Sequence, residues 1–237
     1  MNSVTKAKRG FVPEDERNFS PSAMKVLRTA SGHVEYLINE GYDLKQAVTF
    51  VGNHFLLSER QRLAVMRSVA TREQLDEREN KRVPVTELSG KDIWIDGFNT
   101  IITLEVLESD SILFECMDGT IRDLAALRGT YRIIPETRLA VNTMFSLLEK
   151  LQVNKVTILL DEPVSNSGRL KTLMAEAGEA RSFNLDIQIR KDIDRSLYEK
   201  ENVMTSDSII LDRCFSWVNV TAAIMKQKSK SGLRVWK

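Results

Sequence analysis

The sequence predicts an α/β protein with a layered parallel sheet, preceded by a small all-α part. Apolar residues recur at helical spacing up to about residue 80, whereas short apolar runs alternate with helical stretches after residue 90. Such alternation is typical of crossover units around a parallel sheet that is covered on both faces. The segment "RVPVTELSG" separates the two patterns with a proline and a glycine. We therefore predict domains at residues 1–88 and 89–225 and a basic tail at residues 226–237.

The composition excludes several classes of protein. The chain has 237 residues, of which 42% are hydrophobic, and this is enough to bury a core. The 34 Lys and Arg nearly balance the 33 Asp and Glu, so no overall charge favours nucleic acid or a membrane surface. Cys116 and Cys214 are too few for a disulfide framework, and no apolar run approaches the roughly 18 residues that span a bilayer. We expect a cytoplasmic protein without a membrane partner.

The first part of the chain predicts three helices from their N-caps. Ser20 precedes Pro21 and opens a helix that runs to about Glu40, and Asp43 caps a second helix. Ser58 and Gln61 form a capping box for a third helix, which we predict to run unbroken to about residue 80. The short connection between the last two helices is typical of a helix-turn-helix, and two arginines of the third helix are candidate nucleic-acid contacts, Arg60 and Arg67. The alternative is a solvated helix face.

Six apolar runs after residue 90 predict strands. The runs are "DIWID" (92–96), "SILFECM" (111–117), "KVTILLD" (155–161), "LDIQIR" (185–190), "NVMTSD" (202–207) and "WVNV" (217–220). The segment "TIITLEVLES" (100–109) has β-branched residues, but Asn99 is a good N-cap, and we predict a helix there.

Aspartates follow four of these runs. They are Asp96, Asp118, Asp161 and Asp207. Parallel strands end at one edge of a sheet, where open α/β proteins bind ligands, so we expect the four carboxylates to lie together. A buried cluster of like charges resists full ionisation unless a cation compensates it, and oxygen ligands suit Mg²⁺ or Mn²⁺. The alternative is that each aspartate only caps a helix or closes a turn.

The same residues carry a resemblance to a known family. "WIDGFNTII" resembles the opening motif of PIN-like nucleases of the NYN group, in which a strand ends in an aspartate with an asparagine three positions on, as Asp96 and Asn99 do. "VTILLDEPVSNSG" and "NVMTSDSIILD" are similar to two later strands of that group, matched by Asp161 and Asp207. The resemblance covers about residues 91–225 and implies a PIN-like, Rossmannoid three-layer fold.

The chain departs from that family in two respects. The NYN pattern has a further acid on a helix between its last two motifs, and the only candidates here are Asp192 and Asp194. Asp118 is additional to the pattern. As a whole, the chain resembles an uncharacterised family of two-part archaeal-type proteins with a helical domain of unknown function in front, so the resemblance implies a fold more firmly than a reaction.

If the four carboxylates bind a divalent metal ion, we expect the chemistry to be hydrolysis of a phosphodiester, with RNA as the substrate, which would make the protein a metal-dependent ribonuclease. Asp96, Asp118, Asp161 and Asp207 would hold Mg²⁺ or Mn²⁺, with Asn99 and Ser206 orienting them. The candidate RNA contacts are Asn166, Ser167, Arg60, Arg67, Lys226 and Lys228, with Trp236 available for stacking. One alternative is a catalytically inactive module that binds RNA or a protein. Another is a regulatory pairing in which the helical part covers the cleft, and a homo-oligomer is compatible with either.

Overall fold

The computed structural model describes residues 8–125, 129–228 and 233–235. Within these ranges the chain forms a helical first part, a six-stranded sheet flanked by helices, and a second, three-stranded sheet. None of the helices in the described ranges combines the length and the apolar character needed to cross a membrane.

The helical first part begins where the sequence predicts. Its helices are α1 (Asp15–Asn18), α2 (Pro21–Asn39), α3 (Leu44–His54), α4 (Glu59–Ser68) and α5 (Arg72–Asn80). Ser20 and Asp43 accept backbone N–H groups at the start of α2 and α3, and Ser58 forms the predicted capping box with Gln61.

The third predicted helix is broken into α4 and α5, which contradicts the prediction of one continuous helix. Val69 adopts an extended conformation, and Thr71 then starts a new helix by forming a second capping box with Gln74. The spacing of Thr71 and Gln74 is the same start signal that marks α4. The break turns α5 toward the large sheet, where it contacts the helix at Ser208–Arg213.

The large sheet is entirely parallel among the described residues. Its strands are β1 (Arg82–Val83), β2 (Asp92–Asp96), β5 (Lys155–Asp161), β6 (Asn184–Arg190), β7 (Val203–Met204) and β8 (Trp217–Val218). They lie in the order β1-β8-β7-β2-β5-β6. Five of the six predicted strands are found here, although β7 and β8 are shorter than predicted. The sheet also includes β1, which the sequence analysis did not assign as a strand.

The predicted strand at 111–117 lies in the other sheet. Strand β3 (Leu113–Glu115) pairs antiparallel with β4 (Ile121–Arg122) and parallel with β9 (Leu233–Val235). The side chains of Phe114 and Cys116 pack into the core of the helical part rather than against the large sheet. The expectation that this strand ends at the same edge as the others is therefore wrong.

Helices cover the large sheet on both faces. They are α6 (Gly97–Glu108), α7 (Pro135–Lys150), α8 (Ser167–Gly178), α9 (Ile193–Leu197), α10 (Ser208–Arg213) and α11 (Val220–Lys228), and a single 3₁₀ turn precedes β2 at Val85–Glu87. Helix α6 confirms the predicted helix at 100–109. Ile158 and Leu160 of β5 pack into the core with α6 and α7, whereas Leu159, pointing the opposite way, packs with α9 and α10. The architecture is a layered, Rossmann-like α/β fold.

Candidate functional site

The strand order places a switch point next to β2. Following the chain from β2, strands β5 and β6 extend the sheet in one direction, and β7 and β8 extend it in the other. In open α/β sheets of this kind, ligands bind beyond the carboxyl ends of the strands at the point where the direction reverses. Asp96 is the last residue of β2, and Asp207 follows β7 by three residues, so the two aspartates flank the switch point.

Thr205 joins these two aspartates. Its hydroxyl donates a hydrogen bond to Oδ2 of Asp96 over 2.8 Å and accepts one from the backbone N–H of Asp207 over 3.0 Å. Asp207 in turn uses Oδ1 to cap α10, where it accepts the N–H groups of Ile209 and Ile210. Neither Oδ1 of Asp96 nor Oδ2 of Asp207 accepts a hydrogen bond from the described residues, so each carboxylate keeps one oxygen for a ligand.

Gly97 allows Asp96 to sit where it does. A Cβ atom at position 97 would lie 2.7 Å from the carbonyl oxygen of Leu159 and 2.5 Å from a side-chain carbon of Leu160. No side chain fits at that distance from backbone, so helix α6 can start directly against β5 only with glycine. The glycine that follows Asp96 is therefore explained by the close packing of α6 on β5.

Asp96 is buried among other carboxylates. Its side chain is 5% exposed, and burial, together with the charges of Asp207, Asp161 and Asp194, raises its pKa from 3.8 to about 7 against the opposing effect of the Thr205 hydrogen bond. Burial and Asp194 also raise the pKa of Asp161, and burial, Asp207 and Asp192 raise that of Asp194. We call Asp96, Asp161, Asp194 and Asp207 the carboxylate cluster.

Asp194 is the member that the sequence analysis left as one of two candidates. It lies in the short helix α9, which follows β6 and packs against β2 and β5. The signal for it was the helix-borne acid of the NYN pattern, which did not distinguish Asp194 from Asp192. The structure distinguishes them, because Asp194 contributes to the raised pKa of both Asp96 and Asp161.

Asp118 lies apart from the carboxylate cluster. Its carboxylate accepts hydrogen bonds from Arg78 (2.8 Å), Arg122 (2.6 Å) and the hydroxyl of Thr120 (2.6 Å). Burial opposes ionisation of Asp118, but Arg122, Thr120 and Arg78 outweigh it and lower the pKa of the carboxyl group. Asp118 therefore joins α5 to the β3–β4 hairpin, and we omit it from the ligand set proposed below.

Asn99 and Ser206, which were expected to orient the aspartates, hydrogen-bond to each other instead. Oδ1 of Asn99 accepts the backbone N–H and the hydroxyl of Ser206, both over 2.9 Å, so α6 holds the loop that follows β7. Both residues line a cavity of about 450 Å³ between the helical part and the edge of the sheet. Arg67 of α4 also lines this cavity, and its side chain is 39% exposed.

Four of the other predicted RNA contacts have structural partners: Arg60, Asn166, Ser167 and Lys228. Arg60 pairs with Asp15, Asn166 donates to the carbonyl of Tyr131 over 2.7 Å, and Ser167 donates to the carbonyl of Asp161 over 2.6 Å. Lys228 pairs with Glu108 at the far end of α6, about 18 Å along the helix from Asp96. Lys226 is exposed on the same helix as Lys228, and Trp236 lies outside the described residues.

The carboxylate cluster does not form a preassembled multidentate metal site. In residues 8–125 and 129–228, no three His, Cys, Asp or Glu side chains are arranged to hold one metal ion. The free oxygens of Asp96 and Asp207 fit the looser requirement of Mg²⁺, which is bound by one or two carboxylates and keeps several waters.

Comparisons with known proteins match both parts of the chain. Residues 85–223 match the family described as "Domain of unknown function (DUF5616)", and residues 26–81 match "Protein of unknown function (DUF434)". An uncharacterised protein of Methanocaldococcus jannaschii is 34% identical over 185 residues, which are 78% of this chain and 88% of the relative. No solved structure matches the chain. The predicted two-part arrangement and the archaeal relative are confirmed, and the PIN-like identity stays a prediction.

Replacing Asp118 by asparagine is expected to destabilise the fold by about 3–5 kcal/mol. The substitution leaves Arg78, whose side chain is 2% exposed, without one of its two counter-charges, and a buried charge without its partner is costly. Asp194→Asn is the control, because it removes a carboxylate that is repelled by its neighbours. Urea unfolding of the two variants measures the difference, and equal stabilities would contradict the assignment of Asp118 to a structural role.

Replacing Asp96 by asparagine is expected to change how stability depends on pH. The pKa of Asp96 is about 7 in the folded state and near 3.8 in the unfolded chain, so the folded state binds the proton more tightly and the wild type loses stability as pH rises from about 4 to about 7. Asp96→Asn lacks this loss and should exceed the wild type by up to about 4 kcal/mol near pH 8. Unfolding in EDTA near pH 5 and pH 8 tests this, and a difference that does not grow with pH would refute it.

Proposed function

The chain belongs to the DUF5616 family, and we propose that it is a divalent-metal-dependent ribonuclease whose site lies at the switch point of the large sheet. The observation that carries the proposal is the pair of aspartates that flank this point. Asp96 and Asp207 are connected through Thr205, and each keeps one carboxylate oxygen outside its hydrogen bonds. A cation held there would suit hydrolysis of a phosphodiester, because it could make a bound water more acidic and compensate charge on the phosphate.

The topology supports the PIN-like interpretation. Numbered from β2 along the chain, the five strands β2, β5, β6, β7 and β8 lie in the spatial order 3-2-1-4-5, which is a doubly wound arrangement. This order is shared by many Rossmann-like proteins, so it supports the fold class of the resemblance rather than its activity. The residues that match the NYN motifs, Asp96, Asn99, Asp161 and Asp207, all lie near the carboxyl edge of the sheet.

The residues at the switch point would have three different roles: holding the cation, adding negative charge and positioning the loop after β7. Asp96 and Asp207 would hold Mg²⁺ or Mn²⁺, and such a cation supplies a more acidic water and compensates charge on the phosphate. Asp161 and Asp194 add negative charge around Asp96, which would attract a divalent cation and also raises the pKa of Asp96, so that a cation would compete with a proton there. Asn99 lies in α6, the helix that follows β2, and it fixes the loop that carries Ser206 and Asp207. Helix α6 therefore helps to hold the carboxylate of Asp207 in position beside Asp96.

A double substitution, Asp96→Asn with Asp207→Asn, is expected to lower Mn²⁺-dependent RNA cleavage at least about a hundredfold. Asparagine keeps the size of the side chain and still caps a helix, so the loss reflects charge rather than folding. End-labelled structured and single-stranded RNAs are the substrates, with circular dichroism to verify the fold.

The matched control is Asp92→Asn. Asp92 begins the same strand that Asp96 ends, so the control removes a carboxylate from the opposite edge of the sheet. We expect this variant to cleave at the wild-type rate. Cleavage by the double variant at the wild-type rate would mean that the activity comes from a contaminant, and absence of cleavage by every protein would sink the proposal.

One observation favours a second candidate, a catalytically inactive module that binds RNA or a protein. The described residues hold no group of three acids or other ligands arranged for a metal. RNA binding in EDTA that is unaffected by Mn²⁺ and never followed by cleavage would support this candidate over the ribonuclease.

A further inference from the structure

The cavity beside the carboxylate cluster has one wall from each part of the chain. Met66 and Arg67 of α4 and Gln74 of α5 line one side, and Asn99 and Asp207 line the other. Its volume of about 450 Å³ lies within the range of small-ligand sites. Because Asp207 belongs to both the cavity wall and the carboxylate cluster, a ligand in the cavity would lie next to the proposed metal site.

The walls of the cavity differ in chemistry. Leu44, Met66, Val69 and Ile102 supply apolar surface. Arg67, Asn99 and Ser208 supply polar groups, and Nδ2 of Asn99 donates to no group in the described part of the chain. A ligand that combines a flat, weakly polar ring system with an anionic group matches both kinds of wall.

Arg67 lines this cavity and has N–H groups that donate to no other described residue. It donates through Nη1 to the carbonyl of Asp123 and lies 3.9 Å from the carboxylate of Asp123, and its side chain is 39% exposed. A guanidinium has five donors, so several remain for a ligand. Arg78 and Arg122 also line the cavity, but both are held by Asp118.

Arg122 fixes the width of the cavity. Its guanidinium donates to the carbonyl of Ser206 over 2.8 Å and to the carbonyl of Arg67, while a third donor binds Asp118. One buried side chain therefore holds the loop after β7 and the end of α4 at a set separation. A site whose walls are fixed in this way loses little entropy when it binds a ligand.

We propose that this cavity binds one unpaired nucleotide of the substrate beside the scissile phosphate, with the base against Met66 and Ile102 and a phosphate against Arg67. The helical part is then half of the substrate site. The inference rests on the proposed ribonuclease function for the identity of the ligand, and it adds that the DUF434-matched part takes part directly in substrate binding.

The test is binding of a short, fluorescently labelled single-stranded RNA, measured by anisotropy in EDTA. Arg67→Gln is expected to weaken binding about tenfold, because a charge-assisted contact to phosphate is lost, and Arg67→Lys should lie between the two. Unlabelled AMP should compete with the RNA better than adenosine against the wild type, and equally with adenosine against Arg67→Gln.

Arg82→Gln is the matched control. Arg82 has the same charge and nearly the same exposure, 41% against 39%, but it begins β1 at the opposite edge of the sheet. We expect wild-type affinity from this variant. Equal affinities for the wild type and Arg67→Gln, or an equal loss with Arg82→Gln, would overturn the subsite.

The design separates this inference from the proposed function. Binding is measured without metal, so it does not depend on cleavage. If RNA is cleaved and Arg67→Gln raises KM while kcat is kept, both proposals are supported. If RNA is cleaved with an unchanged KM in Arg67→Gln, the subsite is wrong and the ribonuclease stands. If Arg67→Gln weakens binding but no protein cleaves RNA, the ribonuclease is wrong and the cavity is a nucleotide-binding site without hydrolysis.

Discussion

Asp96 is a carboxyl group buried at the end of a central strand and surrounded by other carboxylates, and the free energy needed to ionise it is the constraint on which the site depends. Burial and repulsion raise its pKa to about 7, so near neutral pH a cation bound at Asp96 would have to displace a proton from the carboxyl group. Gly97 allows α6 to start directly against β5, and Thr205 connects Asp96 with Asp207, so these contacts hold the two acids close together. Keeping these acids close together lowers the free energy of unfolding, and carboxyl groups with raised pKa values of this kind are often found at functional sites.

A second buried charge, that of Asp118, connects the helical part to the rest of the chain. Asp118 binds Arg78 of the helical part and Arg122 of the β3–β4 hairpin, and Arg122 reaches the loop that carries Ser206. Through these contacts the helical part is fixed beside the switch point, and Phe114 packs edge-to-face on Phe19 with ring centroids 5.0 Å apart. The same residues that stabilise the interface therefore shape the cavity next to the carboxylate cluster.

The sequence was sufficient to predict the layered α/β class and three members of the carboxylate cluster, because strand ends with aspartates are local signals. Asp96, Asp161 and Asp207 each follow an apolar run that forms a strand of the large sheet. The prediction for Asp118 was wrong because a local sequence pattern does not show which sheet a strand joins. The run "SILFECM" is as apolar as the others, but its strand pairs with β4 and β9 and packs on the helical part. Asp194 lies on a helix, where no strand end marks it, and only tertiary packing brings it to the cluster.

Binding of Mn²⁺, measured by calorimetry on the wild type, Asp194→Asn and Asp92→Asn, tests most directly whether the carboxylate cluster is a cation site. Asp194 has no role in capping or in the ion pairs of the described residues, so its effect on binding would come from its charge near Asp96 and Asp207. The account predicts that the wild type and Asp92→Asn bind Mn²⁺ with equal affinity and that Asp194→Asn binds it about tenfold more weakly. Equal binding by all three proteins, or binding by none, would contradict it.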